Sequence, residues 1–211
     1  IDFEYSANSQ HAIKFGISYT YHDFFPGQLH LDFEYPNATF EPIDIDTVFK
    51  FSQDLQAHDS FFYIEDEIQI NTRLNVNISS HLSIFSIKQK NYSKLQPRFS
   101  GRYLINENWS LKFSYSEMQQ NLHLLTSSSI GLPTDIWVPS TDTVPPEQSK
   151  QLAFSLNTNI ADGILELSLE SYYKIMSDLI TYKEGVSFFD GNNWENSIAQ
   201  SGQGEAYGVE F

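Results

Sequence analysis

The segment Ile164-Leu165-Glu166-Leu167-Ser168-Leu169-Glu170-Ser171-Tyr172-Tyr173-Lys174-Ile175-Met176 decides the fold. Leu165, Leu167, Leu169, Tyr173 and Ile175 share one parity, and Glu166, Ser168, Glu170, Tyr172 and Lys174 share the other. Successive side chains of an extended chain point to opposite faces, so this is a strand with an apolar face and a polar one. Ile13, Phe15, Ile17, Tyr19 and Tyr21 alternate in the same way with Lys14, Gly16, Ser18 and Thr20. So do Leu74, Val76, Ile78, Leu82 and Ile84 with Asn75, Asn77, Ser79, His81 and Ser83. Shorter versions cover Phe3 to Tyr5, Phe62 to Ile70, Phe99 to Ile105, Leu111 to Tyr115, Leu152 to Leu156 and Tyr207 to Phe211, which makes nine candidate strands.

The connections between these strands alternate in length. Short links are expected at Ser6 to Gln10, Asn71 to Arg73, Asn106 to Asn108 and Ala161 to Gly163, with Asn, Asp or Gly turn chemistry or a span of only three residues. Long links are expected at His22 to Gln56, Ile87 to Leu95, Gln119 to Ser149 and Ser177 to Gly204. An up-and-down transmembrane barrel has this asymmetry, with tight turns at one rim and long loops at the other; a soluble sandwich has no reason for it. Inside the first long link, Leu29, Leu31, Phe33 and Tyr35 alternate with His30, Asp32 and Glu34, and Val48 to Phe51 is strand-like. That pair reads either as a loop hairpin rising above the membrane or as two further wall strands.

Composition removes several classes of function. Charged residues are only 18% and aromatics reach 15%, against about 25% charged in an average globular chain. The 12 Lys and Arg against 27 Asp and Glu give a formal charge of −15, which repels a phosphate backbone and excludes nucleic acid as a partner. There is no Cys, hence no disulfide framework and no thiolate site. No apolar run approaches the 18 or so residues of a transmembrane helix, so any membrane span must use strands. The chain opens at Ile1-Asp2-Phe3-Glu4-Tyr5, where no signal peptide is expected.

A further set of segments occurs in order. They are Tyr63-Ile64-Glu65-Asp66-Glu67, Gln96-Pro97-Arg98-Phe99-Ser100, Arg102-Tyr103, Leu122-His123-Leu124-Leu125, Leu132-Pro133-Thr134-Asp135-Ile136-Trp137-Val138-Pro139 and Tyr207-Gly208-Val209-Glu210-Phe211. Together they resemble the β-barrel of TonB-dependent receptors, especially those common in Bacteroidetes, from about Ile13 to the last residue. The resemblance implies an all-β, antiparallel up-and-down barrel of about 22 strands around a plug. Nine strands cannot close it, so residues 1–211 are expected to be an internal slice of the C-terminal barrel domain, without plug domain or TonB-contacting box. The implied function is active uptake of a scarce nutrient: a siderophore-chelated metal, cobalamin or an oligosaccharide. Outer-membrane lipid, the plug, TonB and a small nutrient ligand are the implied partners, the outer membrane of a Gram-negative bacterium is the implied location, and no cofactor is implied. The alternative is a self-contained small outer-membrane barrel or adhesin of eight to ten strands.

Binding in such receptors uses the loops outside the membrane. His123, Asp135 and Trp137 in the third long link, and Phe188 and Trp194 in the last, mix aromatic and polar groups and are the candidate ligand contacts. The same residues also suit the packing of a long loop over the barrel mouth, and both readings stand. Catalysis finds no foothold. Glu65, Asp66 and Glu67 are consecutive on a strand and cannot converge on one ion. Glu166 and Glu170 read as a solvated inner face rather than a glycosidase pair. Ser128, His123 and Asp135 supply triad residue types without a nucleophile elbow, and no His spacing suggests a metal.

Overall fold

A computed structural model describes residues 1–25, 28–36, 42–50, 54–126, 135–160, 164–184 and 194–211. In chain order the strands are β1 (Asp2–Ser6), β2 (His11–Phe24), β3 (Gln28–Pro36), β4 (Pro42–Lys50), β5 (Leu55–Gln69), β6 (Leu74–Ile87), β7 (Lys90–Leu104), β8 (Trp109–Gln120), β9 (Leu122–Leu125), β10 (Ile136–Pro139), β11 (Glu147–Ile160), β12 (Leu165–Tyr182) and β13 (Ile198–Glu210). One 3-10 turn, Trp194–Ser197, precedes the last strand. Nine strands pair antiparallel in the order β1-β2-β5-β6-β7-β8-β11-β12-β13, and these are the nine two-faced runs of the sequence. β3 with β4, and β9 with β10, form separate two-stranded ribbons. The Leu29 hairpin is therefore a ribbon outside the wall, although Phe51 lies outside the described residues.

Reading straight across the sheet separates its two faces. One row runs Tyr5, Ile13, Asp66, Ile78, Phe99, Tyr115, Leu152, Tyr173, Tyr207. The next runs Glu4, Lys14, Glu65, Ser79, Arg98, Ser116, Gln151, Lys174, Ala206. The first row is apolar apart from Asp66, whose Oδ2 lies 2.8 Å from His11 Nδ1 on the same face. The second row is polar up to Ala206. On its face Tyr63 covers its cross-strand partner Gly16, where a Cβ would fall 2.6 Å from the ring, and Tyr172 likewise covers Gly208.

The apolar band slides along the strands. Ile13 opens it on β2, and its row partner on β12 is Tyr173; on β12 the band opens at Leu165, eight residues before Tyr173 and six strands across. Eight residues at ~3.3 Å against six spacings of ~4.8 Å correspond to a strand tilt of about 40°. A barrel wall needs a tilt of this size, because the band must stay level around the axis while the hydrogen-bonded rows do not. The sheet is an open arc, with β1 and β13 as its edges, which argues against the self-contained small barrel.

Three short turns share one device. Asn8 Oδ1 accepts the N–H groups of Gln10 and His11 at 2.7 and 3.0 Å. Asn71 does the same for Arg73 and Leu74 at 2.8 and 2.9 Å, and Asn106 for Asn108 and Trp109 at 2.9 Å each. The fourth, at 161–163, lies outside the described residues. One expected long link is absent: β6 and β7 stay paired up to Ile87 and Lys90, leaving Lys88 and Gln89 as a tight turn with Lys88 at φ 49°. Here the ladder continues through Phe85–Tyr92 and Ser86–Asn91, where hydrophobic alternation has faded. Backbone pairing needs no apolar face, so the strand outlasts its sequence signal.

Candidate functional site

At the long-link rim the polar face changes character. Leu55, Ala57 and Asp59 continue the parity of Glu65 and Glu67 on β5, and Ser83, Phe85 and Ile87 continue that of Ser79 on β6, so all six face inward. They are buried because the third and last long links fold back onto them. Leu125, Val138, Val144, Trp194 and Ile198 complete one core with Leu55, Ala57, Phe85 and Ile87. The bulge at Asp178 (φ 59°) shifts the pairing of β12 with β13, and beyond it Ile180 and Tyr182 also pack on this core.

The β9–β10 ribbon lies across the inside of the arc, with β9 approaching β12 and β10 approaching β2. It too is two-faced. His123, Leu125 and Val138 are buried, whereas Leu124 and Trp137, direct cross-strand partners, are 42% and 57% exposed. By alternation these two face away from the wall.

A polar lattice pins the ribbon. Asn121 Nδ2 donates to Asp59 Oδ1 at 3.4 Å and to Ser83 Oγ at 3.3 Å. His123 is 0% exposed, with Nδ1 3.1 Å from Glu147 Oε1 and Nε2 3.0 Å from Ser140 Oγ. Tyr92 donates its hydroxyl to the Thr141 carbonyl, and Thr143 donates to Glu195 Oε2 at 2.6 Å, tying the third link to the last. Burial pushes the Tyr92 and Tyr182 phenols up. Burial also raises the Asp59 carboxyl, partly offset by the Asn121 bond and by His22; the apolar run of β5 ends at Phe62, so Asp59 stands above it.

Ser140, His123 and Glu147 have the connectivity of a hydrolase triad. Ser140 is 0% exposed, however, so no acyl group reaches its hydroxyl. Of the five candidate contacts, His123 and Trp194 are buried, the latter 5% exposed. Asp135 and Trp137 stand at the surface, and Phe188, like Ser128, lies outside the described residues. Asn121, Ser140 and Glu147 carry no signal in the sequence, and Leu124 enters it only within the segment Leu122 to Leu125. A four-residue ribbon strand is too short for parity to be read. Among the described residues no group of three or more His, Asp or Glu gathers to hold a metal.

A tilted arc of nine strands with an apolar outer face, a polar inner face and inturned loops is the wall of a large outer-membrane barrel. A family profile described as "TonB dependent receptor-like, beta-barrel" matches residues 1–211. The chain belongs to the TonB-dependent receptor β-barrel family. The FrpB iron transporter of Neisseria meningitidis (F3-3 variant) superposes with a TM-score of 0.59 at 15% identity, covering 89% of this chain and 28% of FrpB. The ferric-catecholate import receptor Fiu of Escherichia coli K12 superposes with a TM-score of 0.58 at 12% identity, covering 99% of this chain and 33% of Fiu. OmpT of Vibrio cholerae, an outer-membrane protein, gives 0.50 at 11% identity, covering 99% of this chain and 52% of OmpT. At such identities the likeness is one of fold. No curated protein sequence matches. This receptor barrel chain therefore spans about a third of the length of FrpB or Fiu.

Proposed function

We propose that the chain is part of the wall and mouth of a Gram-negative outer-membrane receptor that takes up a scarce nutrient with energy from TonB, and that it performs no enzymatic step. The family match over the whole chain supports this reading, together with the two-faced, tilted wall. The partners in the intact protein are outer-membrane lipid, a plug domain, TonB and a small ligand. Chelated metal, cobalamin and oligosaccharide are the ligand classes. Ligand contact falls to Trp137 and Asp135, with Leu124 beside Trp137, because these side chains are exposed on a ribbon whose other face is locked. An exposed indole beside a leucine suits a ligand with an apolar or ring face.

The test uses cells expressing the whole receptor on its limiting nutrient. Uptake is expected to stop when TonB is deleted, and Trp137→Ala is expected to weaken ligand binding. Uptake that continues without TonB overturns the proposal.

A further inference from the structure

The open face of the β9–β10 ribbon holds two rows. Leu124 and Trp137 are direct cross-strand partners, and one step beyond the Ile136–Leu125 pair stand Asp135 and Thr126; all four are exposed. Asp135 and Trp137 share one parity, and two residues of strand cover ~6.6 Å, so a ligand lying on the indole reaches the Asp135 carboxylate as well. Among the described residues Asp135 makes no hydrogen bond or ion pair. An indole presents an electron-rich face that attracts cations, and the group beside it is an anion. Both parts of this surface therefore favour a positive charge over a negative one.

The links around this face carry the same sign. Segments 22–56, 119–149 and 177–204, which join wall strands at this rim, hold 14 of the chain's 27 Asp and Glu but only 2 of its 12 Lys and Arg. The third link, which carries the ribbon, has no Lys or Arg at all. The β6–β7 turn brings Lys88, Lys90 and Lys94 to the same rim, on the wall rather than on the ribbon. Lys90 Nζ lies over the Tyr92 ring at 5.3 Å, Lys94 donates to Gln148 Oε1 at 2.7 Å, and Lys183 donates to the Asn196 carbonyl at 2.8 Å, so these cations are already engaged. A rim with this excess of acids draws cations toward it and repels anions.

We propose that the ligand seated at Leu124, Trp137 and Asp135 carries a positively charged group, an ammonium or guanidinium, next to an apolar or ring face. The proposal rests on the functional reading above for the place of contact and adds the sign of the ligand's charge. The apolar or ring face lies against Leu124 and the indole, and the cation meets the edge of the indole face and the Asp135 carboxylate together. An anionic chelate, such as an iron–catecholate complex, meets both the carboxylate and the surrounding field as repulsion.

Fluorotryptophan is incorporated into the intact receptor in detergent, and the fluorine resonance of Trp137 is assigned by its loss in Trp137→Phe. Three probes of one ring shape are then titrated: N-methylnicotinamide, a cation; nicotinamide, which is neutral; and nicotinate, an anion. The cation is expected to bind about tenfold tighter than the neutral probe, with the anion weakest. Asp135→Asn is expected to remove most of the cation's advantage and to leave nicotinamide unchanged, which also shows that the ribbon is intact. Equal affinities, or tightest binding of nicotinate, overturn the charge assignment and leave ligand contact at Trp137 standing. A cation preference that Asp135→Asn does not reduce overturns the part given to Asp135 and with it the proposal. A Trp137 resonance that none of the three probes moves overturns the proposal together with the contact assignment, and uptake that still stops on TonB deletion then keeps the transport reading alone.

Discussion

Asn121 donates its side-chain amide to Asp59 Oδ1 across 3.4 Å, joining the root of the third long link to the inner wall of β5. Burial raises the Asp59 pKa above its ordinary 3.8, so the folded state holds this proton more tightly than the unfolded one. Stability from this group is therefore full below 3.8 and is lost as pH rises through the raised value. Amide protection at residues 121–125, taken relative to the intrinsic exchange rate at each pH and followed between about pH 3 and pH 7 in the intact receptor, should fall across that window and then level off. Asp59→Asn should flatten the profile; an unchanged profile would refute the assignment.

His123 is the second fastening, held between Glu147 and Ser140 at 3.1 and 3.0 Å. His123→Ala leaves two polar groups without partners and should cost about 1–3 kcal/mol. The loss is expected as faster exchange throughout β9 and β10, with the wall strands unaffected. Equal loosening of β5 to β8 would mean that the ribbon is not an independent unit.

The two tryptophans of the mouth should behave oppositely. Trp194, 5% exposed, closes the core with Val144 and Ile198, and Trp194→Ala should cost about 3–5 kcal/mol of stability. Trp137, 57% exposed, should leave the melting temperature nearly unchanged on conversion to Ala while ligand affinity falls. Thermal melts and ligand titrations of the two variants check this, and a destabilised Trp137→Ala would return Trp137 to a packing role.

The two faces of β11 can be tested in the same way. Phe154 is 46% exposed on the apolar face, and Gln151 lies on the polar one. Phe154→Arg places a charge in lipid and should cost about 2–4 kcal/mol, whereas Gln151→Arg, facing the lumen, should be tolerated. Refolding titrations in lipid vesicles give both values; equal cost would contradict the assignment of faces.

Much of the wall was legible because its signal is local. A strand facing lipid on one side and a polar lumen on the other must alternate, and Leu165 to Ile175 do so without reference to anything distant. Asn8, Asn71 and Asn106 mark their turns through bonds to residues two and three places on. The Lys88-Gln89 turn escaped notice for the converse reason: it lacks a turn signature, and the strands beside it pair without alternating.

The sequence by itself determined the two-faced strands, their number in the sheet and three of the short turns, because side-chain parity and Asn-to-backbone bonds are properties of neighbours in the chain. Only the tertiary structure decided which mouth residues are exposed. His123 and Trp137 lie on facing strands of one ribbon and look alike as candidates, yet one is sealed and the other open. Which is which depends on Phe85, Val144 and Trp194, brought together from the wall and two links far apart in the chain to fill one face of that ribbon. Burial is set by such distant contacts, and no local pattern carries them.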